Sequence, residues 1–265
     1  MMSQIPNLKD RRALVTGAAG NLGKVFADTL ASLGSDLVLV DKEIGKLSLI
    51  GKELKKQYQI DVQIVACDLE SLESRETLIK SVTQYNDKLN ILVNNAAFVG
   101  DSKLEGWGVP FEEQTVETWR RALEVNLTAA FHLCKGFTPL MRLSKGASII
   151  NIASIYAKHA PDWRLYENTD MSNPAAYGAS KAGLIQLTKW LATTIAPEVR
   201  VNAISPGGIF RKQSEIFVSR YINKTPLARM GTEDDFRGPL TFLASDMSQY
   251  ITGHVLDVDG GWCCT

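Results

Sequence analysis

The stretch Ala13-Leu14-Val15-Thr16-Gly17-Ala18-Ala19-Gly20-Asn21-Leu22-Gly23 frames the reading of the whole chain. Residues 13–15 read as a short buried strand, the glycines spaced by three as a tight turn, and residues 22–33, with apolar side chains at helical spacing, as a helix. A glycine turn between a strand and a helix lets the backbone approach a pyrophosphate, whose charge the helix N-terminus stabilises. Glycines also occupy such turns for packing alone, so the turn by itself leaves both readings open.

Outward from this stretch the same alternation repeats. Short apolar runs at 36–40, 62–66, 91–93, 147–152, 199–204 and 255–258 are rich in Val and Ile, as strands buried on both faces are. Between them, residues 44–58, 72–86, 116–143, 176–194 and 233–244 carry apolar residues at helical spacing. The alternation implies an α/β fold, one doubly wound parallel sheet with helices on both faces and its ligand crevice beyond the carboxyl ends of the strands. No repeat or linker divides the 265 residues, so one domain spanning 1–265 is expected. Apolar residues make up 45% and charged residues 22%, ordinary for a globular protein. Lys plus Arg and Asp plus Glu both total 29, so no global field favours nucleic acid or an anionic membrane. No apolar run approaches the ~20 residues that span a bilayer, and residues 1–12 lack a signal-peptide core, so a cytoplasmic protein is expected. Cys67, Cys134, Cys263 and Cys264 have neither metal-ligand nor framework spacing, so reduced thiols and no metal are expected.

The second strand runs into Asp41, 18 residues past Gly23, near the spacing at which a carboxylate grips an adenosine ribose. That carboxylate favours NAD; it would repel the 2′-phosphate of NADP, a preference that Lys42 next to it softens. Asp41 is also a good cap for a helix starting near Ile44, and the two roles can coexist. Asp68-Leu69 and Asn94-Asn95-Ala96-Ala97 place further polar or small residues where the third and fourth strands end. At the chemical end, Asn151-Ile152-Ala153-Ser154 follows the fifth strand, and Tyr177-Gly178-Ala179-Ser180-Lys181 opens a long helix. Tyr177 and Lys181, four residues apart, share a helix face. Bringing a phenol from a pKa near ~10 to neutrality takes roughly 4 kcal/mol. A unit charge about 4 Å away supplies that much only at an effective dielectric near ~20, so a sheltered site is required. Such a tyrosine can exchange a proton with a substrate oxygen while a hydride moves, and a serine hydroxyl can hydrogen-bond the same oxygen.

As a set these residues resemble the short-chain dehydrogenase/reductase family, and the likeness runs from about residue 8 to 261. It is carried by Thr16-Gly17 through Gly23, Asp68, Asn94-Asn95-Ala96, Asn126 within Glu124-Val125-Asn126-Leu127, Ser154, Tyr177 with Lys181, Pro206-Gly207 and Val258-Asp259-Gly260-Gly261. The resemblance implies a Rossmann fold, hydride transfer between NAD(H) and the carbonyl/alcohol pair of a small molecule, and a homotetramer or homodimer. It makes Ser154 the group that steadies the substrate oxygen, Tyr177 the acid/base, Lys181 the residue that lowers the tyrosine pKa, and Asn126 the holder of a relay water. Gly17, Asn21, Leu22, Gly23, Asp41, Asp68, Leu69, Asn95, Ala96, Pro206, Gly207 and Ile209, with Tyr177 and Lys181, become its dinucleotide site.

The chain departs from that pattern in places. Asn21 and Ala97 stand where the family usually has glycine, and Arg211 where it commonly has a threonine that contacts the nicotinamide amide. Ser154 and Tyr177 are 23 residues apart, more than the family usually shows. The added segment 157–176 and a second extension, 100–113, are expected to rim the substrate mouth. Lys158, His159, Trp163, Arg164 and Tyr166 in the first suit a polar or anionic substrate, such as a nucleotide sugar or an acidic sugar. Ser154-Ile155-Tyr156 and Ala160-Pro161-Asp162 are similar to dehydrogenases of bacterial surface-sugar biosynthesis, including nonulosonic acids such as legionaminic acid. Residues 210–231 correspond to the family's substrate lid and are expected to be weakly ordered without ligand. The alternatives are an NADP-dependent reductase of a small ketone and a catalytically weak, dinucleotide-binding regulatory protein.

Overall fold

The computed structural model describes residues 6–99 and 104–264. Seven strands, β1 (Arg12–Thr16), β2 (Asp36–Asp41), β3 (Val62–Ala66), β4 (Ile91–Asn94), β5 (Ala147–Ile152), β6 (Val199–Pro206) and β7 (Val255–Val258), form one parallel sheet. Their order is β3-β2-β1-β4-β5-β6-β7. Helices α1 (Asn21–Ser32), α2 (Ile44–Tyr58), α3 (Leu72–Tyr85), α4 (Val116–Leu123), α5 (Ala129–Arg142), α6 (Ala175–Thr194), α7 (Glu215–Lys224) and α8 (Arg237–Ala244) lie between the strands. This is the doubly wound, Rossmann-type sheet read from the sequence.

Successive strand residues point to opposite faces, and both faces are covered. Ala13, Val15, Leu37, Leu39, Ile91 and Val93 pack with Phe26, Leu30, Leu47 and Leu240 on one side. Leu14, Val38, Val40 and Leu92 pack with Leu78, Leu133, Phe137 and Leu191 on the other. Burial on both faces explains why the strands read as unbroken apolar runs.

The structure departs from the sequence reading in two elements. Residues 116–143, expected as one helix, are α4 and α5 joined by a π-turn, Glu124–Thr128. Residues 233–244 begin with a 3-10 turn, Glu233–Phe236, which Thr232 and Asp235 close in a capping box before α8. The segment 210–231 contains α7, capped by the Ser214 side chain. Its buried Phe217 and Tyr221 lie one turn apart, and the Tyr221 ring stacks on Trp262 at 6.0 Å. Phe217 in turn meets Tyr166 at 5.3 Å, so the lid segment, residues 157–176 and the C-terminal turn share a small aromatic core. Among the described residues, no helix is long and apolar enough to cross a membrane.

Candidate active site

In a doubly wound sheet the crevice opens where the crossovers change direction, here between β1 and β4. A cavity of about 520 Å³ lies there, lined from one end to the other by Asp41, Asp68, Gly17, Asn95, Ser154, Tyr177 and Gly207. Asn21, Leu22, Gly23, Leu69, Ala96, Lys181, Pro206 and Ile209 line it too, so the residues read as a dinucleotide site converge on one surface.

The glycine turn brings backbone to this surface. Gly17 takes a left-handed φ of 64°, and a Cβ on Gly23 would lie 2.0 Å from the Gly17 carbonyl oxygen. Asn21 starts α1, and its φ is not in the positive region, so losing a glycine there imposes no strain. Gly20, at the N-cap, has no side chain to occupy the helix N-terminus, and residues 20–23 at that terminus line the cavity, where uncapped N–H groups suit an anion. The turn is braced from behind: Asn95 Nδ2 donates to the carbonyls of Thr16 (2.8 Å) and Gly17 (3.2 Å). Thr16 Oγ1 accepts from the Asn95 and Ala96 amides. Asp41 ties the turn to α2, one carboxylate oxygen accepting from Ala19 N (3.0 Å) and the other from Glu43 N (3.1 Å). The N-cap of α2 is Glu43, with no side-chain cap bond, so Asp41 closes the turn before the helix and does not cap it; a carboxylate with about four lone-pair sites still has acceptors for ribose hydroxyls. An open cradle, bare helix N-terminus and carboxylate together fit a nicotinamide dinucleotide.

Two arginines around this end escaped the sequence reading. Arg75 is buried; its Nη1 donates to the Leu69 carbonyl at 2.6 Å and its Nη2 pairs with Glu124 of the π-turn at 2.6 Å. Arg121 lines the cavity, bidentate on Glu70 (2.8 and 3.2 Å), with its guanidinium 4.9 Å from the Phe98 ring. Nothing in an amphipathic stretch marks one arginine as buried, so no local signal could have singled out Arg75.

At the chemical end, Ser154 follows β5 and Tyr177 and Lys181 stand on the first turns of α6. Lys181 is buried, donates to the Ile152 carbonyl at 2.7 Å and lies 5.9 Å from the Tyr177 ring centre. Loss of solvent lowers its pKa to about 8. Burial raises the Tyr177 pKa above 10, against a downward pull from the Ser154 hydroxyl and the Arg211 guanidinium. Asn126 stands apart from the other site residues. It is buried outside the cavity lining, its Oδ1 accepting from Phe98 N (2.6 Å) and its Nδ2 donating to Phe98 O and Ser180 Oγ. Its side chain therefore braces the π-turn between the loop after β4 and α6.

Among the described residues, neither insertion lines the catalytic cavity that both were expected to rim. Residues 100–103 lie outside the described residues; in the rest of that extension Trp107 is buried edge-on against Phe98, while Phe111 is exposed. Trp107 Nε1 donates to Val99 O at 2.6 Å. Described residues of both extensions instead line a second cavity, of about 770 Å³, with Gly178, Ala179 and Ala182 of α6. The cations of 157–176 are engaged, Lys158 with Asp257 and Arg164 with Asp162.

Over residues 17–263 the chain matches the family described as enoyl-(acyl carrier protein) reductase. It is similar to the post-translational flagellin modification protein A of Campylobacter coli, 30% identical over 96% of this chain and 99% of that one. It is also similar to the probable galactose dehydrogenase of Rhizobium meliloti (strain 1021), 32% identical over 98% of this chain and 97% of that one. Among solved structures, a Beutenbergia cavernae protein described provisionally as an NAD(P)-dependent gluconate 5-dehydrogenase, with NADP bound at low occupancy, superposes with a TM-score of 0.86. It shares 30% identity and the likeness covers 98% of this chain and 99% of that one. The chain belongs to the short-chain dehydrogenase/reductase family, whose members are oxidoreductases working with a nicotinamide dinucleotide.

Proposed function

We propose that this enzyme moves a hydride between NAD(H) and the carbonyl/alcohol pair of a polar small molecule of the sugar class, with Tyr177 as its acid/base. The observation that carries this reading is the meeting of Ser154, Tyr177 and Lys181 at one end of a cavity whose other end carries Asp41. A dinucleotide bound there supplies the hydride and, when oxidised, a positive charge beside the phenol. Ser154 hydrogen-bonds the substrate oxygen, and Tyr177 takes its proton in oxidation or returns it in reduction. Lys181, cationic below about pH 8, favours the phenolate, and its bond to the Ile152 carbonyl fixes where that charge sits. A buried phenol above its ordinary pKa needs both positive charges to ionise near neutrality. Asp41 supports NAD over NADP, and the galactose and gluconate named for two relatives support a polyhydroxylated substrate. NADP remains the second reading, because Lys42 also lines the cavity and one solved relative holds NADP.

The test pairs cofactor binding with turnover of a sugar, sugar-alcohol and nucleotide-sugar panel. Tyr177→Phe is expected to lower kcat by about 10²- to 10⁴-fold while NADH still binds. Asp41→Ala is expected to move the preference toward NADP(H). Tyr177-independent turnover would remove the acid/base assignment, and an unchanged cofactor ratio in Asp41→Ala would remove the NAD reading.

A further inference from the structure

We propose that Arg211 forms an oxyanion subsite in the catalytic cavity, so that the substrate carries a carboxylate or a phosphate away from its reacting carbon. The inference rests on the hydride-transfer reading above. Arg211 and Gln213 line the same cavity as Ser154 and Tyr177, on the connection from β6 to α7. The backbone there is tightly fixed. Phe210 N donates to Gly231 O and Gly231 N to Gly208 O, both at 2.9 Å, clamping the two ends of the lid segment together. Within the clamp, Gln213 spans the turn: its Oε1 accepts from Arg211 N (2.7 Å) and its Nε2 donates to Ile209 O (2.8 Å). Lys212, between them, takes a left-handed φ of 60°.

The fixed backbone carries a side chain with donors to spare. Arg211 Nε donates to Glu233 at 3.1 Å, while its two Nη groups have no hydrogen-bond partner among the described residues. Its side chain is 46% exposed and remains open to a ligand. The other cations lining the cavity are placed for other work. Arg121 spends its fork on Glu70, Lys181 is buried on the Ile152 carbonyl, and Lys42 sits beside Asp41 at the ribose end. A planar guanidinium with both Nη groups available matches the two oxygens of a carboxylate or phosphate. Arg211 and Tyr177 line one cavity, so an anion held by the Arg211 fork and a substrate oxygen at Tyr177 can belong to one molecule. Lys158 and Arg164 do not line this cavity, so anion recognition within it falls to Arg211.

The test uses sorbitol, gluconate and sorbitol 6-phosphate, which share a polyol chain and differ in the terminal group. With saturating NAD⁺, the wild type is expected to favour one of the acidic compounds over sorbitol in kcat/KM, and which one names the source of the oxyanion. Arg211→Gln should lower that acidic-to-neutral ratio by about 10- to 100-fold, mainly through KM, and Arg211→Lys should restore part of it. A wild type indifferent to the acidic group overturns the proposal. So does an Arg211→Gln enzyme that binds NADH more weakly with its ratio unchanged, which would assign Arg211 to the cofactor pyrophosphate. Binding of gluconate and sorbitol 6-phosphate to the NADH complex, read by nicotinamide fluorescence, separates the subsite from the chemistry. Arg211-dependent binding without any turnover supports the subsite while sinking the hydride-transfer reading, and binding that ignores Arg211 overturns the subsite.

Discussion

Lys181 shows at the scale of one residue how a reactive group burdens the fold that holds it. Its ammonium is buried, and desolvation lowers its pKa from 10.5 to about 8. The folded state thus binds this proton less well than the unfolded chain. The penalty applies in full below pH 8 and fades as the pH rises from 8 toward 10.5, where the unfolded lysine also loses its proton. The size is about 3 kcal/mol. Lys181→Met, similar in length and uncharged, is therefore expected to raise the Tm of the cofactor-free protein by several degrees at pH 7, with the gap closing between pH 8 and 10, while turnover is lost. Thermal unfolding across that pH range checks it; a Met variant less stable than wild type at pH 7 would show that the ammonium is no burden. The pairing of Tyr177 with Lys181 was legible because four-residue spacing puts both on one helix face, a local fact. The downward shift of Lys181 was not legible, since it follows from the tertiary shell around the side chain.

At the scale of elements, the junction of α4 and α5 is where the local pattern misled. Apolar periodicity over 116–143 continues through the junction, yet the chain widens into a π-turn at Glu124–Thr128. Three distant partners hold it there: Arg75 of α3 on Glu124, and Phe98 and Ser180 on Asn126. A π-turn has little intrinsic stability and appears mostly at functional sites, where outside contacts maintain it. The buried Arg75 joins this turn to the Leu69 carbonyl at the cavity wall. Arg75→Leu is expected to cost about 2–4 kcal/mol in urea denaturation, discounted because Glu124 keeps some contact with water. The double variant Arg75→Leu/Glu124→Leu should recover part of that loss, because no unpaired carboxylate is left behind. Strictly additive losses would mean that the two side chains do not act as a pair.

Across the whole molecule, the lid segment lends Arg211 and Gln213 to the catalytic cavity, while its helix α7 and the longer insertion pack into a separate aromatic core. Trp262, at the far end of the chain, is 2% exposed and stacks on Tyr221 of α7, with Tyr156 6.3 Å away. It joins three segments that the sheet alone would leave apart. Trp262→Ala is expected to destabilise the protein by about 3–5 kcal/mol. It should also expose α7 to trypsin at Arg220 or Lys224, read by limited proteolysis under native conditions. Unchanged cleavage in the variant would show that α7 is held by other contacts.

The sequence by itself determined the alternation of strands and helices, the glycine turn, the carboxylate after β2 and the tyrosine-lysine pair. Each of these depends on residues within one or two turns of one another, where spacing dictates geometry. Only the tertiary structure decided that Asn126 braces a turn outside the cavity lining, that Arg75 supports the cavity wall and that the insertions line a second cavity. It also set the packing of the lid and the freedom of Arg211. Those outcomes depend on contacts between segments far apart in the chain, such as Lys158 with Asp257, separated by 99 residues, and Asn126 with Ser180, separated by 54. Side-chain identity states what a residue can bind, but its available partners are set by the fold that brings them within reach.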